Sequence, residues 1–310
     1  MELAGRPHPV RHAPSAVGGI ALVIAAVACF ATLDTTTKLI STGVPLLMAL
    51  WFRYFFQAVA TTLVVLPARG WRSLRTAHPK FQLLRGLLLL TSSLFAFLSL
   101  KHMPVAEFTS VVAIVPLAIT LLAATALDER VSKLRWSLII GGFLGTLIII
   151  RPGSEHFGWP TFFPLVVVVT NSWFQVLTSK LARTEDPVTM HFYTGWVGTL
   201  IASLALPFVW TSLPSWWLWA GLMLMGLAAT AGHLLLILAY TRTTAATLTP
   251  FFYAQIGFAM LGGWLVFSHV PDGWSLVGIG LIALCGALGA WLTARESQAL
   301  KKIKLQPVES

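Results

Sequence analysis

An aspartate at position 34 and a lysine at 38 sit in CFATLDTTTKLI (Cys29–Ile40), directly after an uncharged run, AVGGIALVIAAVA. Arg53, Arg85 and Glu107 are set in similarly apolar surroundings. An ionised side chain near the centre of a bilayer costs at least about 2.5 kcal/mol, so such residues mark places where charge is used, for binding, proton relay or neutralisation by a partner. Asp34 has three candidate partners: Lys38 one turn on, Arg53 in the next apolar run, or a bound solute. An exposed i,i+4 pair with Lys38 would contribute only about 0.3–0.5 kcal/mol, too little to account for the charge. Glu107 is expected to pair with Lys101 or His102 or to act as a protonatable gate. Arg85, at the start of an apolar run, is expected to snorkel to the headgroups.

Uncharged polar residues form a second set: Asn171 and Gln175 one turn apart, His233, Tyr253 and Gln255. Each can hydrogen-bond a solute, and each can equally tie one helix to another for roughly 1 kcal/mol. Trp173 and Phe174 offer a stacking surface for a planar ligand. A catalytic residue set is not among the expectations. The histidines are scattered, with none paired at metal-ligand spacing inside an apolar run, so neither a metal nor a cofactor is expected. The sequence also lacks a Gly-x-Ser-x-Gly elbow and a Walker motif. The contrasting expectation is an integral membrane enzyme acting on a lipid-linked substrate, and it would need such a convergent set.

The elements that position these residues are dictated by composition. Of 310 residues, 56% are hydrophobic and 10% charged, against about a quarter charged in soluble domains. Mean hydropathy is +0.79. Apolar runs long enough to cross about 30 Å of hydrocarbon recur at 17–40, 44–66, 82–100, 104–127, 134–150, 160–180, 188–210, 216–239, 244–267 and 274–294. These predict an all-α integral membrane protein of ten transmembrane helices. Only 1–16 and 295–310 remain as tails, the second disordered or lying at the membrane surface. Cys29 and Cys285 lie inside the first and last spans and read as small apolar fillers. Trp216, Trp217 and Trp219 open the eighth span as an interfacial belt.

The formal charge of +10 would suit nucleic acid, but the basic residues alternate between loops. Sixteen fall on one side and three, Lys38, Lys101 and Arg151, on the other; the remaining two are Arg53 and Arg85. By the positive-inside rule both termini are cytoplasmic, and the basic excess meets anionic headgroups rather than nucleic acid.

The chain also repeats itself. RWSLIIGG (Arg135–Gly142) parallels GWSLVGIG (Gly273–Gly280), and PVAEFTSV from Pro104 parallels TAATLTPF from Thr244, at a common offset of about 138 to 140 residues. Five spans per repeat is an odd number, so the second half enters the bilayer from the opposite side. This inverted arrangement is a device of secondary transporters, whose sites lie at discontinuous helices. Pro116 in the fourth span and Pro250 in the ninth are the helix-break candidates, each serving a gate or a packing kink. Glycines in GGFLG and GLIALCGALG are expected to allow close helix packing.

With RGLLLL after Arg85, VPLAITLLAATALDERVSKLRW (Val115–Trp136), the RPG ending at Gly153, AYTRTTAATLTPFFY and FSHVPDGWSLVGIG in hand, the chain resembles the EamA family of the drug/metabolite transporter superfamily. The resemblance spans nearly the whole length, as EamA-type repeats at 17–151 and 160–294. It implies a ten-helix secondary transporter of the bacterial inner membrane, an exporter or one coupled to protons or exchange, working by alternating access. The substrate implied is a zwitterionic or planar metabolite such as an amino-acid derivative, an opine-type metallophore, S-adenosylmethionine or riboflavin. It further implies a central cavity lined by the first, third, fourth, sixth, eighth and ninth spans. The sequence departs from the family pattern at one place. Where the first half carries Asp128-Glu129, the second carries His269, with Asp272 nearby. The expected partners are the small-molecule substrate and the lipid bilayer, with a homodimer as the candidate assembly and no nucleic acid.

Overall fold

The computed structural model describes residues 16–126, 133–150, 158–182, 184–242, 248 and 251–305. Among them the regular elements are helices and no strand occurs. The chain rises through α1 (Ala16–Ile40), returns through α2 (Leu46–Arg69), and passes a 3-10 turn at Trp71–Leu74 into α3 (Pro79–His102). Next come α4 (Val105–Val112), α5 (Val115–Ala126) and α6 (Lys133–Ile150). A second 3-10 turn, Trp159–Phe162, opens α7 (Phe163–Leu181), succeeded by α8 (Pro187–Val209), α9 (Trp216–Arg242), α10 (Ala254–Phe267) and α11 (Gly273–Leu305). α8 shows why a helix starts where it does: Pro187 needs no donor in the first turn, and the Asp186 carboxylate accepts from the amides of Val188 at 2.9 Å and Thr189 at 3.2 Å.

Five of these helices, at Val17–Ile40, Leu46–Val64, Pro79–His102, Pro187–Val209 and Trp216–Arg242, are long and apolar enough to cross a membrane. Their surroundings are turned inside out relative to a soluble protein. Large apolar side chains such as Leu204 and Phe208 stand exposed, at 76% and 88%, while Gln57, Gln82 and Arg85 are fully buried. Only a hydrocarbon solvent makes that arrangement favourable, because exposed apolar surface then costs nothing and polar groups must find partners inside.

Helices of the first half pack mainly on helices of the second: α1 on α9, α2 on α8, α3 on α7, α4 on α10 and α6 on α11. The α6–α11 contact is close because Gly145 and Gly278 face each other. A β-carbon on Gly145 would lie 2.9 Å from the Gly278 carbonyl oxygen, and one on Gly278 would lie 2.7 Å from the Gly145 oxygen. Gly141 similarly abuts the Cys285 sulfur. The close packing expected of the glycines in GGFLG and GLIALCGALG is found at Gly141, Gly142, Gly145 and Gly286, whereas a β-carbon on Gly280 would meet nothing within 4 Å.

Two helices of the interior are interrupted. α4 stops at Val112 and α5 starts at Val115, with Ile114 N–H turning back to the Val111 carbonyl and Pro116 supplying no donor to Val112. On the other half, residues 251–252 are helical, Tyr253 is a turn, and α10 begins anew at Ala254. Pro250 itself, with Asp128, Glu129 and the RPG ending at Gly153, lies outside the described residues. Of the two alternatives for the second tail, disorder does not hold over residues 295–305, which continue α11 as helix to Leu305.

Candidate functional site

A cavity of about 100 Å³ lies where the two halves meet. Its wall is drawn from α1, α3, α4, α5, α7 and α9, from the broken segment at Phe252 and Gln255, and from one residue of α2, Arg53. Apart from Arg53, these are the spans the family resemblance implied.

Asp34 lines this cavity and is 8% exposed. α1 stays helical through the threonine-rich stretch around it because hydroxyls turn back on the preceding turn, Thr32 to the Ala28 carbonyl at 2.9 Å and Thr37 to Leu33 at 2.7 Å. Lys38 is not its partner. The lysine ammonium instead donates to the carbonyls of Leu100 at 3.1 Å and Met103 at 2.9 Å, at the C-terminal end of α3 where orphan acceptors and the helix dipole favour a cation. Asp34 Oδ2 accepts from Gln255 Nε2 at 3.2 Å, so the broken tenth helix reaches across to α1.

Arg53 enters the cavity from α2 with its guanidinium fixed. One terminal nitrogen donates to Ser93 Oγ, the other meets His233 Nε2 at 2.9 Å, and the group lies 5.1 Å from the Tyr54 ring centre. Ser93 is saturated, since it donates to the Leu89 carbonyl at 2.7 Å and also meets Tyr54 Oη at 2.8 Å. Arginine has no acceptor, so His233 Nε2 must accept, which leaves its proton on Nδ1. The imidazole is thereby a neutral prop, seated between the rings of Phe30 and Phe174 at 4.9 and 5.9 Å. Asp34 and Arg53 share the cavity, but no ion pair joins them among the described residues.

Asn171 and Gln175 also line the wall, locked to each other at 2.7 Å, with Gln175 Oε1 accepting from Tyr240 Oη at 2.7 Å. Pro116 borders the cavity at the α4–α5 break. The remaining expectations are corrected or displaced. Glu107 pairs with neither Lys101 nor His102. It meets His269 Nε2 at 3.1 Å, brought there by the left-handed Ser268 that ends α10, and it is absent from the cavity wall. Tyr253 packs against Gly286 of α11 rather than facing the cavity. Of the expected aromatic pair only Phe174 reaches the interior; Trp173 is 41% exposed on the outer surface.

Arg85 does not snorkel. It is fully buried, donating to Thr178 Oγ1 at 3.0 Å, Gln82 Oε1 at 2.8 Å and the Met190 carbonyl at 3.4 Å, with Phe174 beneath it at 5.2 Å. Ser93 and Tyr240 support the cavity wall and were not expected from the sequence. The available signal was a hydroxyl inside an apolar span, which is weaker than a charge because helix hydroxyls so often bond their own backbone.

Residues 17–151 match the EamA-like transporter family. The chain is 29% identical to a riboflavin transporter of Rhizobium johnstonii over 274 residues, covering 86% of this chain and 88% of that protein. It is 26% identical to an S-adenosylmethionine uptake transporter of Rickettsia felis over 252 residues, covering 80% and 84%. A pseudopaline exporter of Pseudomonas aeruginosa is 26% identical over 280 residues, covering 87% and 95%. A solved crystal structure at 20% identity superposes with a TM-score of 0.66, covering 91% of this chain and 99% of that one, and shares the fold. These relatives are all named as metabolite transporters, and none of the three as an enzyme.

Proposed function

We propose that this chain is a ten-span secondary transporter of the bacterial inner membrane, with both termini cytoplasmic, that moves a small organic metabolite through the central cavity by alternating access. Its two inverted repeats are 17–151 and 160–294. The observation that carries the reading is a cavity at the meeting of the two halves, mainly apolar but carrying Asp34, Arg53 and a few uncharged polar groups, and bordered by an interrupted helix from each half.

The repeat reading is supported by which helices touch. Exchanging the first five spans for the last five turns the α1–α9 contact into α7–α3, α1–α10 into α7 against α4 and α5, and α2–α9 into α8–α3, while α2–α8 and α6–α11 map onto themselves. Each of these contacts is present. Two halves related in this way can rock about a shared site. Relatives named for uptake and for export occur side by side, so direction is set by the gradient, of protons or of a counter-solute. The test is counterflow in proteoliposomes with S-adenosylmethionine, riboflavin and amino acids, with and without a pH gradient. Accumulation of at least one solute, lost in Asp34→Asn, is expected; no flux of any solute under any gradient would overturn the reading.

A further inference from the structure

Asp34 and Arg53 are the carboxylate and the guanidinium of the cavity wall, and their protein partners are all neutral. Asp34 Oδ2 is held by the Gln255 amide, and its Oδ1 has no protein donor among the described residues. Arg53 is held by a serine hydroxyl and by an imidazole that must be neutral to accept from it. The wall therefore offers one carboxylate and one guanidinium, joined by no ion pair among the described residues.

Charges in such surroundings favour a contacting counter-ion, and a solute with one charge of each sign satisfies both while adding no net charge to the membrane interior. A lone cation leaves Arg53 unmatched, a lone anion leaves Asp34 unmatched, and an uncharged planar solute answers neither. We propose that the cavity binds a zwitterionic solute, with its ammonium against Asp34 Oδ1 and its carboxylate against Arg53. This rests on the transport reading above and narrows its substrate class. The cavity of about 100 Å³ is below the roughly 300–1,000 Å³ of pockets for drug-sized ligands. In this conformation it encloses the charged head of a solute, and the apolar wall at Phe30, Phe174 and Phe252 takes the rest of the molecule.

The test uses the purified full chain, with ligand-induced shifts of its thermal midpoint monitored by tryptophan fluorescence. The probes are the proteinogenic amino acids, each beside its methyl ester, which keeps only the ammonium, and its N-acetyl derivative, which keeps only the carboxylate. S-adenosylmethionine is set beside 5′-methylthioadenosine, which lacks the amino-acid head, and riboflavin stands for planar solutes. At least one zwitterion should bind at least about tenfold more tightly than both of its singly charged derivatives, the size expected for one lost charged hydrogen bond.

Asp34→Asn should weaken the ester selectively and so raise the ratio of N-acetyl to ester affinity, and Arg53→Gln should weaken the N-acetyl compound selectively and lower that ratio. A merely structural role for either residue would lower all affinities together. Asp34→Asn is nearly isosteric and decides the matter even where Arg53→Gln does not purify. Equal binding of ester or N-acetyl derivative and parent, or binding of riboflavin or methylthioadenosine with every zwitterion inert, would overturn the zwitterion site while leaving transport standing. Silence across the whole panel, together with no flux in proteoliposomes, would overturn both.

Discussion

Arg85 donates to three acceptors on α3, α7 and α8 from a position no solvent reaches. Lysine has the charge and three donors, but all on one nitrogen, whereas Arg85 reaches Thr178 from Nε and Gln82 and Met190 from a terminal nitrogen of its planar fork. Arg85→Lys is expected to cost about 1–3 kcal/mol through the unmet acceptors, read as a lowered thermal midpoint in detergent. Glu185, in the loop between α7 and α8, makes a different kind of contact: its Oε1 accepts from His78 Nδ1 at 2.9 Å and from the Ala77 amide at 3.0 Å. Burial opposes its charge, but the hydrogen bonds from His78, Thr76 and Ala77 together outweigh it and hold the carboxyl below its ordinary value. A depressed carboxylate contributes stability above its unfolded pKa of about 4.3 and loses it as pH falls through the folded value. The gap in thermal midpoint between wild type and Glu185→Gln should therefore be full at pH 7 and close as the pH is lowered below about 4. A gap that widened on acidification would contradict this assignment.

At the scale of elements, the α6–α11 contact leaves no room for a side chain at its centre, because the obstacle on each side is a backbone oxygen. Gly278→Val should force the two helices apart and destabilise by about 1–3 kcal/mol, whereas the same change at Gly280, where a β-carbon meets nothing within 4 Å, should leave the melt nearly unchanged. The existence and approximate limits of these helices are legible in the sequence, since length and hydropathy alone define a span. What hydropathy does not carry is which way a residue points around the axis. Helices apolar on every face have no stripe to read, so Trp173 and Phe174, adjacent in sequence, separate into an outer and an inner residue. Arg85 departs from expectation for the same reason: its depth along α3 is visible in the sequence, its facing is not. Partners are least legible of all, since Asp34 and Gln255 are 221 positions apart and Glu107 and His269 are 162 apart.

For the whole molecule, the uneven distribution of basic residues predicts that the loop at Thr76 faces the cytoplasm and the loop at Ser215 the opposite side. After replacement of Cys29 and Cys285, a cysteine at Ser215 should react with a membrane-impermeant maleimide in intact cells, and one at Thr76 only after lysis. The reverse pattern would invert the proposed topology without touching the fold. Labelling also reports motion, because closing and opening must part some contacts and keep others. Lys38 bears on which. Its ammonium grips two carbonyls of α3 from α1, so the ends of α1 and α3 on that face travel as one mechanical piece. Glu107 and His269 make a second fastening, between α4 and the loop after α10. A charge first noticed as an oddity of the opening helix is thus a rivet between α1 and α3.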